Sequence, residues 1–273
     1  MRFHAVVAGP RDGRLLVLLH GFPEHWYSWR SQIPPLAEAG YHVVAYDQRG
    51  YNRSDKPRGV SAYTSDELSA DIMGIIHALG YETAVIVGHD WGGAIAWSFA
   101  MHYPDATERL IVMNAPHPKA MQRELQAGWE QRRMSWYMLF FQIPIIPEAL
   151  LTFSPPKTAQ FFFEKTAVCP GAFSSAELDT MAVALAQPSA MTAMLNWYRA
   201  MLLRPSSKPL QSIDAPALLI WGEGDMALSK GLTYGLDDWI SDLQVRYISE
   251  CGHWVQNEAP GEVNKMILEF LER

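Results

Sequence analysis

Short apolar runs alternate with amphipathic segments along most of the chain. The runs that fit strands buried on both faces of a parallel sheet lie at 15–19, 42–47, 83–87, 110–114, 217–221 and 244–248. Segments with helical spacing separate several of these runs, at about 29–39, 65–79, from 91 onward and 261–271. This alternation predicts an α/β protein with a mostly parallel, doubly wound sheet.

The alternation stops between residues 117 and 209. This stretch is rich in methionine and aromatic residues, and it contains internal prolines at 144, 147, 155, 156 and 188. The strand pattern resumes at 217–221, which looks like a further strand of the same sheet. We therefore predict a mostly helical insertion at 117–209 within one α/β core.

Composition changes this picture little. With 273 residues, of which 49% are hydrophobic and 19% charged, the chain looks like an ordinary soluble globular enzyme. Its net charge of −7, without a basic cluster, argues against nucleic acid or an anionic membrane surface as a partner. The N-terminal stretch has no apolar run long enough for a signal peptide or a membrane span, so we expect a cytoplasmic protein.

The cysteines and histidines do not suggest a metal site. Cys169 and Cys251 are the only cysteines, and they lack CxxC spacing and a set of histidine partners. Both are expected to be structural thiols. No His/Cys/Asp cluster and no glycine-rich phosphate loop appears in the sequence, so we predict neither a metal nor an organic cofactor.

Asp90 stands at a junction between a predicted strand and a predicted helix. Gly88, Gly92 and Gly93 flank it, and small residues there allow a tight turn that leaves the central side chain exposed above the sheet. A carboxylate in this position can attack an electrophilic carbon and form an ester, whereas a serine would attack an acyl group. The alternative is that Asp90 only caps the helix beginning at Trp91, which is the commoner role of an isolated Asp before a helix.

Asp225 and His253 favour the nucleophilic role. Each follows one of the last two predicted strands, and the carboxyl ends of strands are where sites form in such sheets. The chain order nucleophile, acid, histidine is the order that accompanies this kind of elbow. Asp225 would orient the imidazole of His253, whose other nitrogen would take a proton from water. Glu223 and Glu250 are rival acids that fit the strand-end position less well.

Four motifs together resemble the epoxide hydrolases of the α/β-hydrolase superfamily. They are His20-Gly21-Phe22-Pro23-Glu24, the elbow Gly88-His89-Asp90-Trp91-Gly92-Gly93, Asn196-Trp197-Tyr198-Arg199, and Gly252-His253. The resemblance spans nearly the whole chain. It implies an α/β-hydrolase core at 1–116 and 210–273, with residues 117–209 forming a helical cap above the nucleophile.

The resemblance also implies roles for residues around the elbow. Backbone N–H groups of Phe22 and Trp91 would form an oxyanion hole, which stabilises negative charge that develops on the nucleophile's carbonyl oxygen. The motif containing His20, Gly21 and Pro23 would support the turn, with His20 stabilising it. A cis peptide bond before Pro23 is expected from the same resemblance.

Two tyrosines in the insertion match the family's electrophilic groups. Tyr198 lies in the Asn-Trp-Tyr-Arg motif, and Tyr137 lies in an aromatic stretch; taken singly, either tyrosine would more often be core. A phenol can donate to an epoxide oxygen and protonate the alkoxide as the ring opens. The resemblance thus implies hydrolysis of epoxides to vicinal diols through an ester on Asp90, followed by attack of water activated by His253.

The implied partners are a small lipophilic epoxide and water. The methionine and aromatic content of the insertion indicates an apolar pocket. The natural substrate, the stereochemical preference and the oligomeric state, including a homodimer, are left open. Asn52 departs from the family, in which this position usually carries a small residue, most often glycine; asparagine tolerates the left-handed backbone that such a loop requires.

Three rival functions are weighed against this hypothesis. Haloalkane dehalogenases share the aspartate, the histidine and a tryptophan at the position of Trp91, but many carry asparagine where this chain has Phe22, and paired tyrosines serve no purpose there. Fluoroacetate dehalogenases carry arginine after the nucleophile, and Trp91 with Ala94 offers no such clamp for a carboxylate. A catalytically silent, small-ligand binding member of the fold is the third alternative.

Overall fold

A twisted, mostly parallel sheet forms the centre of the molecule. The computed structural model describes residues 1–206 and 208–273. Its strands are β1 (Ala5–Ala8), β2 (Leu15–Leu19), β3 (His42–Tyr46), β4 (Ala84–His89), β5 (Thr107–Met113), β6 (Ala217–Gly222) and β7 (Leu243–Ile248). In the described part of the chain they lie in the order β1-β3-β2-β4-β5-β6-β7, and only β1 runs antiparallel to its neighbour. The predicted fold class is therefore confirmed.

The helices fall into two groups along the chain. The first group lies before β5 or after β7, and its members are α1 (Ile33–Glu38), α2 (Ser65–Ala78), α3 (Trp91–His102), α11 (Val255–Glu258) and α12 (Pro260–Leu271). Those between β5 and β6 are α4 (Pro118–Ala127), α5 (Trp129–Met134), α6 (Trp136–Phe140), α7 (Ile146–Thr152), α8 (Pro155–Ala159), α9 (Ser175–Leu185) and α10 (Ala190–Leu203). Shorter 3₁₀ turns lie at Trp26–Trp29, Val60–Tyr63, Pro104–Ala106 and Lys230–Thr233, and a π turn lies at Gln160–Glu164.

Both faces of the sheet are covered, as the unbroken apolar runs require. Every side chain of β2 is buried, and alternate residues face opposite layers. One layer contains Ile72 of α2 and Trp97 of α3. The other contains Leu36 of α1 and Ile267 of α12. This double layer holds the carboxyl ends of the parallel strands in fixed relative positions.

Two elements differ from the sequence prediction. β1 was not predicted, because it is only four residues long and lies half-exposed at the sheet edge, where the apolar signal is weak. The helix predicted at 29–39 is divided into the 3₁₀ turn at Trp26–Trp29 and α1. Pro34 and Pro35 explain the division, since prolines are favoured in the first turn of a helix and disrupt its interior. In residues 1–206 and 208–273, no helix combines the length and the hydropathy that crossing a bilayer demands.

Candidate active site

Asp90 occupies a strained turn between β4 and α3. Its backbone has φ 50° and ψ −120°, which is unusual for a residue with a side chain. The neighbouring glycines make the turn feasible: a Cβ at Gly88 would overlap the Gly92 carbonyl, and a Cβ at Gly92 would overlap the Leu19 carbonyl. A Cβ on Gly93 would meet the side chain of Ala115. The glycines predicted from sequence thus allow β4, α3 and the β2 strand end to approach closely around Asp90.

The two carboxylate oxygens of Asp90 have different surroundings. The Phe22 N–H donates to Asp90 Oδ1 over 2.8 Å. Asp90 Oδ2 instead faces His253, whose Nε2 lies 3.6 Å away. Trp91 is the first residue of α3, so its N–H has no acceptor within the helix. Oδ1 thus accepts from the Phe22 backbone, while Oδ2 faces the imidazole of His253.

His20 supports the loop that carries Phe22. The Gln48 N–H donates to His20 Nε2 over 3.0 Å, so Nε2 is an acceptor and Nδ1 carries the hydrogen. Nδ1 then donates to the Gly21 carbonyl over 2.9 Å. Burial lowers the pKa of His20, which keeps this ring neutral. The Phe22–Pro23 peptide bond is cis, as the sequence resemblance implied.

His253 lies between two carboxylates. Its Nδ1 donates to Asp225 Oδ2 over 2.7 Å, and its Nε2 faces Asp90. Burial alone would lower the pKa of His253, but the charges and hydrogen bonds of Asp225 and Asp90 raise it well above its ordinary value. Burial likewise opposes ionisation of Asp225, and its pKa is nevertheless lowered by His253 and other donors. Asp225 is therefore a carboxylate that holds the imidazole with Nε2 directed at Asp90.

Asn114 contacts Asp225 and was not predicted from the sequence. It follows β5 with φ 38° and is fully buried. Its Nδ2 donates to Asp225 Oδ2 over 2.8 Å, and its Oδ1 accepts from the Gly222 N–H over 2.9 Å. The Ala227 N–H also donates to Asp225, over 2.8 Å. Asn114 thus ties the carboxylate of Asp225 to the end of β6.

A buried ion pair beneath the site was also missed. Glu24 accepts from the Gly21 N–H over 2.9 Å and from His89 Nδ1 over 2.8 Å. The second nitrogen of His89 lies 2.8 Å from the His253 carbonyl oxygen. His89 therefore bridges the Glu24 carboxylate and the backbone of His253. Burial opposes the charge of Glu24, but the charge of His89 and hydrogen bonds lower its pKa to about 2.

The ion pair connects the two loops that meet at Asp90. Glu24 holds the residue before Phe22, and His89 holds the backbone of His253. From the sequence, His89 is predicted to point away from Asp90 on the strand and to have a packing or supporting role. The signal that could have revealed its role is Glu24, the acidic residue that ends the motif beginning at His20.

Tyr137 and Tyr198 line the same cavity as Asp90. The cavity has a volume of about 420 Å³, and its walls also include Trp91 and apolar side chains such as Met121. The rings of Tyr137 and Tyr198 are 6.0 Å apart, and the ring of Tyr198 is 4.9 Å from that of Trp91. Burial, reinforced by the charge of Asp90, raises the pKa of both phenols above their ordinary value. Both therefore keep their protons at neutral pH.

The rival residues lie elsewhere. Glu223 forms a surface ion pair with Lys230, and Glu250 is exposed, so neither replaces Asp225 as the partner of His253.

Asn52 adopts φ 37°, the left-handed backbone expected of it, and donates to Asp47 over 2.9 Å. In the part of the chain that the structure describes, no three or more His, Cys, Asp or Glu side chains cluster as metal ligands would.

Known proteins show the same fold and family. A family model described as alpha/beta hydrolase fold matches residues 14–144. The chain is 42% identical to the AB hydrolase superfamily protein YfhM of Bacillus subtilis, covering 98% of this chain and 94% of that protein. It is 37% identical to epoxide hydrolase 3 of Xenopus tropicalis, over 100% of this chain and 75% of that protein.

A solved structure extends this agreement to the backbone. The crystal structure of Bacillus megaterium epoxide hydrolase in complex with an inhibitor is similar with a TM-score of 0.90 and 31% identity, covering 99% of this chain and 97% of that one. The fold and the aspartate elbow define an α/β hydrolase. Within that class, the chain belongs to the epoxide hydrolase family.

Proposed function

We propose that the protein hydrolyses lipophilic epoxides to vicinal diols through a covalent ester on Asp90. One observation carries this proposal: the Asp90 carboxylate and the phenols of Tyr137 and Tyr198 line one apolar cavity. A nucleophile and proton donors on opposite sides of a substrate are what opening of an epoxide needs. The epoxide hydrolases among the relatives and solved structures support the same activity.

The first step opens the ring. Asp90 Oδ2 attacks one epoxide carbon, and the bond from that carbon to the ring oxygen breaks. The ring oxygen takes a proton from Tyr137 or Tyr198, since an alkoxide is a far stronger base than a phenolate even when the phenol has a raised pKa. The products are an alkyl ester on Asp90 and a free hydroxyl on the adjacent carbon.

The second step hydrolyses the ester. Ester formation removes the charge of Asp90, one of the two carboxylates that raise the pKa of His253, so the imidazolium loses its proton through solvent to the tyrosine phenolate left by the first step. Neutral His253 then takes a proton from water, and the hydroxide oxygen attacks the ester carbon of Asp90. Negative charge collects on Oδ1, to which the Phe22 N–H donates, and the N–H of Trp91 is the second donor that we propose for this oxygen. The ester bond between the carbonyl carbon and the substrate oxygen then breaks, and the departing alkoxide takes the proton of the added hydroxyl. The diol leaves, and Asp90 is again a carboxylate beside protonated His253.

The two parts of the chain would supply different groups. We propose that 117–209 acts as a cap that provides Tyr137 from α6 and Tyr198 from α10, while the core provides the nucleophile and its histidine. The apolar cavity walls suit a lipophilic epoxide, with water as the second substrate.

The test compares two electrophiles on the wild type and two variants. Wild type and Asp90→Ala are each given a styrene-oxide-type epoxide and a primary bromoalkane, with Asp179→Ala as a control that removes an exposed carboxylate. We expect diol formation by wild type and the control, and a loss of about 10⁴-fold or more in Asp90→Ala. Bromide release without any diol would instead establish a dehalogenase, and absence of both activities would favour a binding protein.

A further inference from the structure

The carboxylate of Glu258 accepts four backbone N–H groups. Glu258 is the last residue of α11 and is half-buried. Its Oε2 accepts from Val168 over 2.8 Å, from Cys169 over 2.9 Å and from Gly252 over 3.1 Å. Its Oε1 accepts from Trp254 over 3.1 Å. The four donors belong to two segments, one between β5 and β6 and the other in the loop after β7.

Capping of α11 explains only part of this arrangement. Trp254 is the N-cap residue of α11, and a glutamate near the start of a helix can accept the N-cap N–H. The N–H groups of Val168 and Cys169 are different, because they lie 90 and 89 residues away in sequence. Hydrogen bonds from N–H groups to a carboxylate are stronger than those between neutral groups. Glu258 therefore joins the chain between β5 and β6 to the loop after β7.

The loop after β7 carries His253, and its backbone is held from two sides. Glu258 binds the N–H groups of the residues before and after His253, and His89 Nε2 lies 2.8 Å from the His253 carbonyl oxygen. The ring of His253 then reaches Asp225 through Nδ1 at 2.7 Å, while Nε2 lies 3.6 Å from Asp90. Because the ring moves with its backbone, a shift of this loop would change where Nε2 is directed.

Gly252 allows the carboxylate to come close to the loop. A Cβ on Gly252 would lie 2.8 Å from Glu258 Oε1 and 3.0 Å from the Val168 side chain. The backbone of Gly252 is not in the left-handed region, so its conformation does not require glycine. The missing side chain instead makes room for Glu258 and for the segment that donates to it.

The segment before Val168 is itself fixed to the loop. The indole Nε1 of Trp254 donates to Thr166 Oγ1 over 2.8 Å and to the Phe162 carbonyl over 3.0 Å. The rings of Trp254 and Phe163 are 4.9 Å apart, and Phe163 is fully buried. The N–H groups that Glu258 accepts from this segment are therefore held in place, and they give its carboxylate a fixed support.

We propose that Glu258 is a positioning residue for His253, whose Nε2 it keeps directed at Asp90 by tying the histidine loop to the chain between β5 and β6. The inference rests on the proposed function, because the step it serves is the attack of water on the ester. Asp90 is held by its own turn and by the Phe22 N–H, so ester formation should depend little on Glu258.

The test separates the two chemical steps by stopped-flow fluorescence with a styrene-oxide-type epoxide. Glu258→Gln replaces one acceptor oxygen by an amide that can only donate, and Gly252→Ala displaces the carboxylate without removing it. Both variants should slow ester hydrolysis by about thirtyfold or more and leave ester formation within about threefold of wild type. Accumulation of the ester, seen by intact-mass spectrometry, should accompany the slow step.

Two controls distinguish positioning from a general loss of stability. Glu262→Gln removes an exposed carboxylate from α12, and Ile267→Val weakens the buried packing of the same helix. Both should hydrolyse the ester at the wild-type rate. Proton NMR adds a readout that needs no turnover: the Nδ1–H of His253, identified by its loss in His253→Gln, should shift or broaden in Glu258→Gln and stay unchanged in both controls.

Three results would overturn the positioning role. They are wild-type ester hydrolysis in Glu258→Gln, equal slowing of both steps in that variant, and the same slow hydrolysis in Ile267→Val. If the wild type opens no epoxide, the proposed function fails and the NMR signal of His253 decides the role alone. A signal that is unchanged in Glu258→Gln would then refute it.

Discussion

Glu24→Gln tests whether the buried ion pair beneath the active site stabilises the protein. Glu24 is 1% exposed and pairs with His89, and its pKa is lowered from 4.5 to about 2. A shift of that size corresponds to about 3 kcal/mol of folding stability for the ionised form, in line with the cost of breaking a buried pair. The glutamine keeps the shape of the side chain but removes its charge, so His89 Nδ1 faces a neutral amide in place of a carboxylate.

The pH dependence follows from the direction of that shift. A carboxyl whose pKa is depressed by folding contributes fully above its unfolded pKa and loses the contribution as pH falls through its folded pKa. The stabilisation from Glu24 should therefore be complete above about pH 5 and disappear towards pH 2. Urea unfolding of wild type and Glu24→Gln measures the difference at pH 7 and at progressively lower pH.

A control variant and the rate of ester hydrolysis separate the effect of this ion pair from the general effect of removing a carboxylate. Glu82→Gln removes an exposed carboxylate and should leave the free energy of unfolding nearly unchanged. Because Glu24 supports the loops of Phe22 and His253, Glu24→Gln should also slow ester hydrolysis by roughly tenfold. A difference below about 1 kcal/mol at pH 7, or one that does not shrink in acid, would refute the account of this ion pair.

Three further predictions concern the residues around Asp90. Asp225→Asn should slow ester hydrolysis by about 10⁴-fold, because the buried charge that orients His253 is lost. Intact-mass spectrometry during turnover should then show the alkylated enzyme, and a purely unmodified protein would contradict this. Replacing both Tyr137 and Tyr198 by Phe should slow ester formation by about 10²–10⁴-fold, whereas ester hydrolysis should be unaffected; stopped-flow fluorescence separates the two steps. Asn114→Ala should lower the free energy of unfolding by about 2–4 kcal/mol in thermal or urea unfolding, because the Asp225 carboxylate and the Gly222 N–H both lose a partner. An unchanged midpoint would show that Asn114 is dispensable.

Most strands of the sheet were predictable because they have a clear hydrophobic pattern in the sequence. A strand buried on both faces needs an unbroken apolar run, and β2 and β6 consist of such runs. β1 was not predicted, because a half-exposed edge strand needs fewer apolar residues and therefore has a weaker pattern in the sequence. Fold class and family are confirmed by the strand order and by the relatives, while the boundaries of the cap stay a prediction.

The site was predictable where its residues lie in local motifs. Asp90 lies in a glycine-flanked elbow, and Asp225 and His253 each follow a strand, so the sheet itself carries them to one edge. The structure brings these three together, and their chemical roles stay predictions until measured.

Residues that act only through tertiary contacts left no such local signal. Asn114 and Asp225 are 111 residues apart, and His89 and His253 are 164 apart. Asn114 looks like the polar end of a strand, and His89 looks like the last residue of one. Their hydrogen bonds depend on how neighbouring strand ends are arranged, which one sequence does not specify.

The ester on Asp90 is the central claim, and isotope transfer in a single turnover tests it most directly. Enzyme in excess over a styrene-oxide-type epoxide is mixed in ¹⁸O-labelled water, and the diol and the peptide containing Asp90 are analysed by mass spectrometry. If Asp90 Oδ2 attacks the epoxide and water attacks the ester carbon, the first diol takes its new oxygen from the protein. The diol should then be unlabelled and Asp90 should carry ¹⁸O. Label in the diol with none in Asp90 would mean that water attacks the epoxide directly, and the covalent mechanism would be wrong.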